Sequence, residues 1–307
     1  MSSRRSRQAP ALRPDALPSG ETGIDTGTVE LERDPDRPNG VMVYVNGVES
    51  SYVDLADAEH LEFEYMQQMR LVIDALHPAG SPVRAVHLGG AACAFPRAIA
   101  RQRPRSRQLV VELDAELARL AREWFDLPRA PELRVRTQDA REAVSTLRSG
   151  EWDAVVRDVF TGNRVPTHVR TVEFVTDVAR TLADDGVYLA NGVDSPPLRE
   201  TRREVATVRD VFDHVALAVE PAIWRGRRFG NVVVIGAHVP LPLEQLRRGM
   251  LALPLPVRLV TGDELRTFAG GALPWRDAPV STDGTDPAAA PENDDAARPV
   301  GTSRIDG

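Results

Sequence analysis

The sequence predicts an α/β protein in which a small N-terminal antiparallel β-unit precedes a mainly parallel, doubly wound sheet. The main observation is the regular alternation of short apolar strands with amphipathic helices over residues 83–235, which is typical of parallel sheets covered by helices. The second is a turn-rich, alternating segment at residues 28–54. The third is the length of 307 residues with 42% hydrophobic and 27% charged residues, which suffices for a large core.

The β-unit is predicted from its turns. The segment TVELERD alternates apolar and polar residues, and Asn39-Gly40 and Asn46-Gly47 are hairpin signals between the strands. We therefore place the β-unit at 26–58 and the α/β domain at 59–276. The flanking segments 1–25 and 277–307 have biased compositions without periodicity and are predicted to be disordered.

The α/β domain begins with a helix. Apolar residues recur at spacings of three and four over 59–76, and Pro78 ends the pattern. The elements that follow alternate between strand and helix until two strands end the pattern. They are predicted at 83–88, 94–101, 108–113, 114–124, 133–137, 141–147, 152–156, 171–182, 187–190, 198–211, 215–219 and 231–235.

Composition excludes several classes of function. The net charge of -7 disfavours a globally basic nucleic-acid binder. All the basic residues are arginine, so a P-loop lysine and a lysine Schiff base are excluded. Cys93 is the single cysteine, and the histidines lack metal-ligand spacing, so no metal site is predicted. No apolar run reaches membrane-spanning length and no secretory signal is evident, so we expect a cytoplasmic protein.

Ligands of open α/β sheets bind at the carboxyl ends of the strands. Gly89, Gly90 and Ala91 follow the first strand, where small residues allow close backbone approach and the next helix offers N–H groups. Glu112 ends the second strand, where a carboxylate can accept both hydroxyls of a ribose. The alternatives are a plain tight turn for the glycines and a helix-capping acid for Glu112.

Two further acids follow the third and fourth strands. Asp139 is suited to the exocyclic amine of an adenine, with Ala140 supplying a backbone N–H, although Asp139 can also cap the next helix. Asp158 follows an apolar strand, where a partly buried carboxylate can accept a proton. Its alternative is a loop acid paired with Arg157 or Arg164. Together these residues predict an adenosine site with an acid at its reacting end.

At this point the sequence resembles the spermidine synthase-like family of polyamine aminopropyltransferases. The resemblance covers about residues 28–237 and depends on the order and spacing of several short motifs. They are the NGV turn, FEY, HLGGAA, VVELD, QDA, VVRDVF followed by PTHVRTVEF, DDGVYLAN and RRFGNVVV. The resemblance implies a Rossmann-like S-adenosylmethionine-methyltransferase fold behind the small β-unit.

The resemblance also implies a reaction and its groups. The aminopropyl group of decarboxylated S-adenosylmethionine would move to a small-molecule amine, in polyamine biosynthesis. Asp158 would be the catalytic acid and Tyr65 would help to bind the amine. Glu112 would bind the ribose, and Asp139 with Ala140 the adenine. A homodimer or homotetramer is implied as well.

The sequence departs from the family pattern around the amine. Ala92 stands where the family carries an aspartate that holds the aminopropyl ammonium, and Thr161 replaces the second acid of a DxxD motif. Met66 and Gln67 replace a histidine and a glutamate, and the glutamine expected near Ser50 is absent. Two alternatives therefore stay open: an S-adenosylmethionine-dependent methyltransferase and a non-catalytic nucleoside-binding protein.

Overall fold

The computed structural model describes residues 14–278. Within this part of the chain, a four-stranded antiparallel sheet comes first, in the order β1-β2-β3-β4. Its strands are β1 (Thr22–Ile24), β2 (Gly27–Arg33), β3 (Gly40–Val45) and β4 (Val48–Asp54). Asn46 and Gly47 both take positive φ between β3 and β4, as a tight hairpin turn requires. The predicted antiparallel β-unit is therefore confirmed.

The boundary of the N-terminal arm was predicted incorrectly. Residues 14–25, placed in the disordered arm, hold a 3₁₀ turn and β1, whereas residues 1–13 lie outside the described residues. The tip of the β1–β2 hairpin is anchored by side chains. The Asp25 carboxylate accepts hydrogen bonds from the Ala115 and Glu116 amides, and Thr26 donates twice to Asp114. These bonds join residues about 90 positions apart, so local sequence pattern could not reveal them.

The large sheet contains eight strands among the described residues, in the order β12-β10-β11-β9-β8-β5-β6-β7. Strands β7, β6, β5, β8 and β9 run parallel to one another, whereas β11, β10 and β12 follow β9 through antiparallel pairs. The mainly parallel mixed sheet confirms the predicted fold class. Its strands are β5 (Arg84–Leu88), β6 (Arg107–Glu112), β7 (Leu133–Thr137), β8 (Trp152–Arg157), β9 (Leu182–Asp194), β10 (His214–Val219), β11 (Gly230–Ala237) and β12 (Arg258–Thr261).

Helices pack on both faces of this sheet and enclose two apolar clusters. The helices are α1 (Glu64–Leu76), α2 (Ala94–Gln102), α3 (Ala115–Trp124), α4 (Ala140–Thr146), α5 (Val172–Thr181), α6 (Arg199–Arg209), α7 (Pro221–Trp224), α8 (Leu243–Leu251) and α9 (Gly262–Ala269). The elements beyond β11 were not predicted. Residues 238–257 carry four prolines, and these obscure the helical period of α8.

The predicted start of the C-terminal tail is also slightly wrong. The Asp277 carboxylate forms an ion pair with Arg141, and the Asp277 amide donates to Glu173 at 3.0 Å. Order therefore continues past residue 276 because these side-chain contacts hold the backbone against α4 and α5. The rest of the predicted tail, residues 279–307, lies outside the described residues.

Candidate active site

The glycine loop joins β5 to α2 at the carboxyl edge of the large sheet. Gly89 has φ +85°, and a Cβ there would lie 2.1 Å from the carbonyl oxygen of Asp158. A Cβ on Gly90 would lie 2.6 Å from Val110 Cγ1. Both positions therefore require glycine, because the loop is pressed against the ends of β8 and β6.

Glu112 closes this loop from the end of β6. Its Oε2 accepts hydrogen bonds from the amides of Gly90 at 2.9 Å and Ala91 at 3.0 Å. Its Oε1 accepts from the Asp114 amide at 3.1 Å. The structure thus brings Glu112 against the glycine loop of the predicted nucleoside site, where its carboxylate satisfies the amides of Gly90 and Ala91. Ribose binding by Glu112 stays a prediction.

Asp139 caps α4, as its alternative interpretation predicts. Its Oδ1 accepts from the amides of Arg141 and Glu142, and its Oδ2 lies 2.9 Å from His168 Nε2. Burial raises the pKa of Asp139, but the His168 hydrogen bond and the helix amides outweigh burial, so the pKa is lowered overall. Asp139 is therefore ionised at neutral pH. Adenine binding by Asp139 and Ala140 stays a prediction.

Asp158 lies directly after β8 and is held by two side chains. Its Oδ2 accepts a hydrogen bond from the Tyr65 hydroxyl at 2.8 Å, and its Oδ1 accepts from Asn191 Nδ2 at 2.8 Å. Burial raises the pKa of Asp158 above the ordinary aspartate value, although both hydrogen bonds oppose the shift. The site therefore contains a carboxylate with a fixed orientation and increased basicity.

Tyr65 reaches Asp158 from α1, and amine binding by Tyr65 stays a prediction. The ring is 6% exposed and stacks on Phe63, with ring centroids 5.9 Å apart. Burial raises the pKa of the Tyr65 hydroxyl well above its ordinary value, and the neighbouring Asp158 charge adds to this shift. The hydroxyl therefore keeps its proton and acts as a hydrogen-bond donor.

Asn191 was missed by sequence reasoning. Arg157 on β8 pairs with Ala190 on β9, so Asp158, just after β8, lies beside Asn191 of the adjacent parallel strand. The available signal was a lone amide ending the apolar run VYLAN. Asn191 Oδ1 is buried and has no hydrogen-bond partner within residues 14–278.

A buried ion pair fixes this corner of the sheet. Arg157 is fully buried, lies 3.1 Å from Glu204 Oε1 and donates to the Asn191 carbonyl at 2.9 Å. Glu204 also accepts from Arg170 Nε at 2.9 Å. Arg157 therefore pairs with Glu204 rather than with Asp158, which excludes the first loop-acid alternative. Arg164 instead forms a backbone bridge with Thr161.

The positions that depart from the family pattern carry no carboxylate. Ala92 is fully buried beneath the glycine loop, and Met66 is buried in α1. Gln67 donates to the Leu61 carbonyl at 2.7 Å. The Asp194 carboxylate is used within the fold, because its oxygens accept from the amides of Ser195 and Thr201 and from the Thr201 hydroxyl.

Within residues 14–278, no group of three or more His, Cys, Asp or Glu side chains is placed to hold a metal ion. No helix in the same range combines the length and apolar character needed to cross a membrane.

Comparison with known proteins agrees with this geometry. The crystal structure of a "probable spermidine synthase" from Corynebacterium glutamicum is 37% identical, with a TM-score of 0.81. The match covers 88% of this chain and 100% of that chain. The spermidine synthase of Thermotoga maritima is 15% identical with a TM-score of 0.57, covers 82% of this chain and 83% of its own, and supports the fold alone.

A curated protein that is similar in sequence points to the same family. The polyamine aminopropyltransferase of Vibrio vulnificus is 28% identical over 183 residues, and the match spans 59% of each protein. No family model matches the chain. The high identity and full coverage of the Corynebacterium protein, together with the fold, show that the chain belongs to the spermidine synthase-like family.

Proposed function

We propose that this chain transfers the aminopropyl group of decarboxylated S-adenosylmethionine to the nitrogen of a small-molecule amine. The observation that carries the proposal is the Asp158 carboxylate, held between Tyr65 and Asn191 beside the glycine loop. The names of the Vibrio and Corynebacterium relatives support the same activity. Assembly into a homodimer or homotetramer stays a prediction.

The chemistry requires a deprotonated amine. An alkylamine has a pKa near that of lysine, about 10.4, so it arrives as an ammonium ion without a free lone pair. The buried Asp158 carboxylate can accept a hydrogen bond from that ammonium and then its proton, because its raised pKa makes it a stronger base. Tyr65 and Asn191 donate to separate oxygens and so fix the plane of the carboxylate.

The donor supplies a sulfonium centre, which makes the adjacent carbon electrophilic. In the transfer, the amine nitrogen forms a bond to the aminopropyl carbon that is attached to sulfur, while the bond from that carbon to sulfur breaks. The electron pair goes to sulfur, neutral methylthioadenosine leaves, and the amine proton passes to Asp158 and then to solvent. Asp158 therefore acts as general base in a direct displacement.

The residues of the nucleoside half fit this donor. Gly89 and Gly90 leave no side chain over the loop, and Glu112 places a carboxylate at the end of β6. We propose that the Glu112 carboxylate binds the ribose hydroxyls and that Asp139 and Ala140 bind the adenine. The aminopropyl half is less well matched, since Ala92 offers no charge to an ammonium group.

Ala92 favours one second candidate, a methyltransferase that uses S-adenosylmethionine itself. Without a carboxylate at this position, nothing in the loop repels the carboxylate of the undecarboxylated donor. A local match of 32% identity over 132 residues to the N-terminal histidine N-methyltransferase of Emericella nidulans also favours it. That match covers 41% of this chain and 23% of the fungal protein.

A mass-spectrometric transfer assay tests both candidates. Each donor is offered with a panel of monoamines, diamines and polyamines, and Asp158→Asn is assayed beside the wild type. Methylthioadenosine with an aminopropylated amine, lost in the variant, supports the proposal. A methylated amine with S-adenosylhomocysteine supports the second candidate. Absence of any product with folded protein would overturn both and leave a nucleoside-binding protein.

A further inference from the structure

A second site is suggested by a cavity of about 660 Å³ at the amino-terminal edge of the large sheet. Its lining includes the first residues of β5, β6 and β8 and the end of α4. Asp158 and the glycine loop follow the carboxyl ends of β8 and β5, so they occupy the opposite edge. The cavity is therefore separate from the proposed aminopropyl-transfer site.

Five arginines line this cavity, and sheet register places four of them on one face. Arg84 of β5 pairs directly with Arg107 of β6. On β7, Arg134 and Arg136 pair with Leu109 and Val111 of β6. Because side chains alternate between faces, residues 107, 109 and 111 and their parallel partners project the same way. The fifth arginine, Arg148, lies just beyond α4.

Two of these guanidinium groups have no partner among the described residues. Arg107 and Arg134 are exposed, and within residues 14–278 neither side chain makes a hydrogen bond, an ion pair or a stacking contact. Arg136 has a single 3.3 Å bond to the Thr146 hydroxyl. Close packing of like charges is unfavourable unless an anion lies between them. The repulsion between these guanidinium groups is therefore not relieved by their own contacts within residues 14–278.

The neighbouring acids do not neutralise the cluster. Asp153 is occupied by Arg84, with a 2.7 Å ion pair, and Glu151 lies 3.5 Å from Arg148. Asp185 is a further negative charge near Arg84. These three acids lie toward the β5–β8 side and Arg148. On the β6–β7 side, Glu132 directly precedes β7 beside Arg107 and forms no ion pair within residues 14–278, so Arg107, Arg134 and Arg136 outnumber the one acid there. This local excess is positive in a chain whose net charge is -7.

The end of α4 would ordinarily oppose an anion, because helix carboxyl ends carry partial negative charge. Here Arg180 covers it. Its guanidinium donates to the carbonyls of Leu147 at 2.8 Å and Val144 at 3.1 Å.

We propose that this arginine-lined cavity binds a small molecule that carries a chain of phosphoryl groups. Planar guanidinium groups bind phosphate through paired hydrogen bonds, and several arginines match adjacent phosphates better than they match one carboxylate. A volume of about 660 Å³ falls within the range of small-ligand sites, about 300–1,000 Å³. Inorganic polyphosphate and a nucleoside triphosphate share this chemistry, and a base could lie against Trp152.

Isothermal titration calorimetry on the full chain tests the proposal, with inorganic tripolyphosphate and ATP as separate probes. Methylthioadenosine is kept saturating so that the nucleoside site cannot contribute. We expect binding of tripolyphosphate that weakens with added salt. We expect at least tenfold weaker binding by the Arg107→Gln/Arg134→Gln double variant, since it removes two guanidinium groups that would donate to phosphate. Tighter binding of ATP than of tripolyphosphate would identify a nucleotide as the occupant, and equal or weaker binding would identify the inorganic form.

The control is the Arg209→Gln/Arg225→Gln double variant, which removes the same charge from two exposed arginines without side-chain partners within residues 14–278. We expect it to change the affinity less than threefold. Thermal unfolding checks that both double variants are folded. The proposal is wrong if tripolyphosphate and ATP fail to bind the wild type, or if both double variants weaken binding equally. It is also wrong if duplex DNA binds but neither small probe does.

Discussion

Replacing Tyr65 with phenylalanine should move the acid limb of the pH–rate profile to higher pH. The change removes one hydroxyl that donates to Asp158 Oδ2 at 2.8 Å and keeps the buried ring beside Phe63. That bond stabilises the ionised carboxylate and lowers the pKa of Asp158 against the effect of burial. Without it, Asp158 takes up a proton at a higher pH and stops acting as a base earlier on acidification.

The size of the shift follows from the strength of the lost bond. A hydrogen bond to a charged group contributes about 1.5–3 kcal/mol, and one pKa unit corresponds to about 1.36 kcal/mol. The acid limb should therefore rise by about 1–2 pH units. The asparagine on the other oxygen retains its 2.8 Å bond, so the carboxylate keeps part of its orientation.

Two assays measure this effect. The first follows kcat/KM for methylthioadenosine release against pH, with the acceptor that the transfer assay identifies. The second follows the free energy of unfolding against pH and needs no activity. The folded-state pKa of Asp158 is raised, so its contribution to stability is fully present below about pH 3.9 and is lost as pH rises through the folded pKa. In Tyr65→Phe this loss should be larger and should extend to higher pH.

Tyr52→Phe is the matched control. Its hydroxyl donates to Asp34 Oδ2 at 2.7 Å in the N-terminal sheet, away from Asp158. It should lower stability without moving the acid limb of kcat/KM. An unchanged acid limb in Tyr65→Phe, or an equal shift in Tyr52→Phe, would refute the assignment of that limb to Asp158.

Three further variants test the surrounding framework. Glu112→Ala leaves the Gly90 amide without its acceptor and should weaken methylthioadenosine binding at least tenfold in calorimetry; unchanged affinity would exclude Glu112 from the nucleoside site. Gly89→Ala places a Cβ 2.1 Å from the Asp158 carbonyl and should abolish turnover, with a lower unfolding temperature; normal activity would contradict the close approach. Glu204→Gln leaves buried arginine charge unpaired and should cost about 3–5 kcal/mol in chemical denaturation; a loss below about 1 kcal/mol would contradict that ion-pair network.

Much of the candidate site could be predicted because it follows strand ends. Gly89, Glu112, Asp139 and Asp158 each come at or just after a parallel strand, and parallel strands deliver their carboxyl ends to the same edge. The capping role of Asp139 was also predictable, since an acid before a helix accepts from its first amides. These inferences need only local pattern and the general rule for open α/β sheets.

Other features depended on contacts between distant segments. Tyr65 meets Asp158 across 93 positions, and Asn191 meets it across 33. Without the family resemblance, neither partner could be identified, because hydrophobic periodicity gives the face of an element and not its neighbour in space. Strand β1 was predicted to be disordered for the same reason, since Asp25 next to it binds the start of α3 about 90 positions away.

The sequence by itself determined the α/β class, the small β-unit and the chemistry available at each strand end. It did so because hydrophobic periods and turn residues act over a few positions. The tertiary structure alone decided which charged side chains have hydrogen-bond partners. Glu112 is bound by the loop amides and Asp158 by two side-chain donors, whereas Arg107 and Arg134 have no partner within residues 14–278. Burial and hydrogen bonding set the pKa and the free energy of each charge, and both depend on residues that only folding brings together.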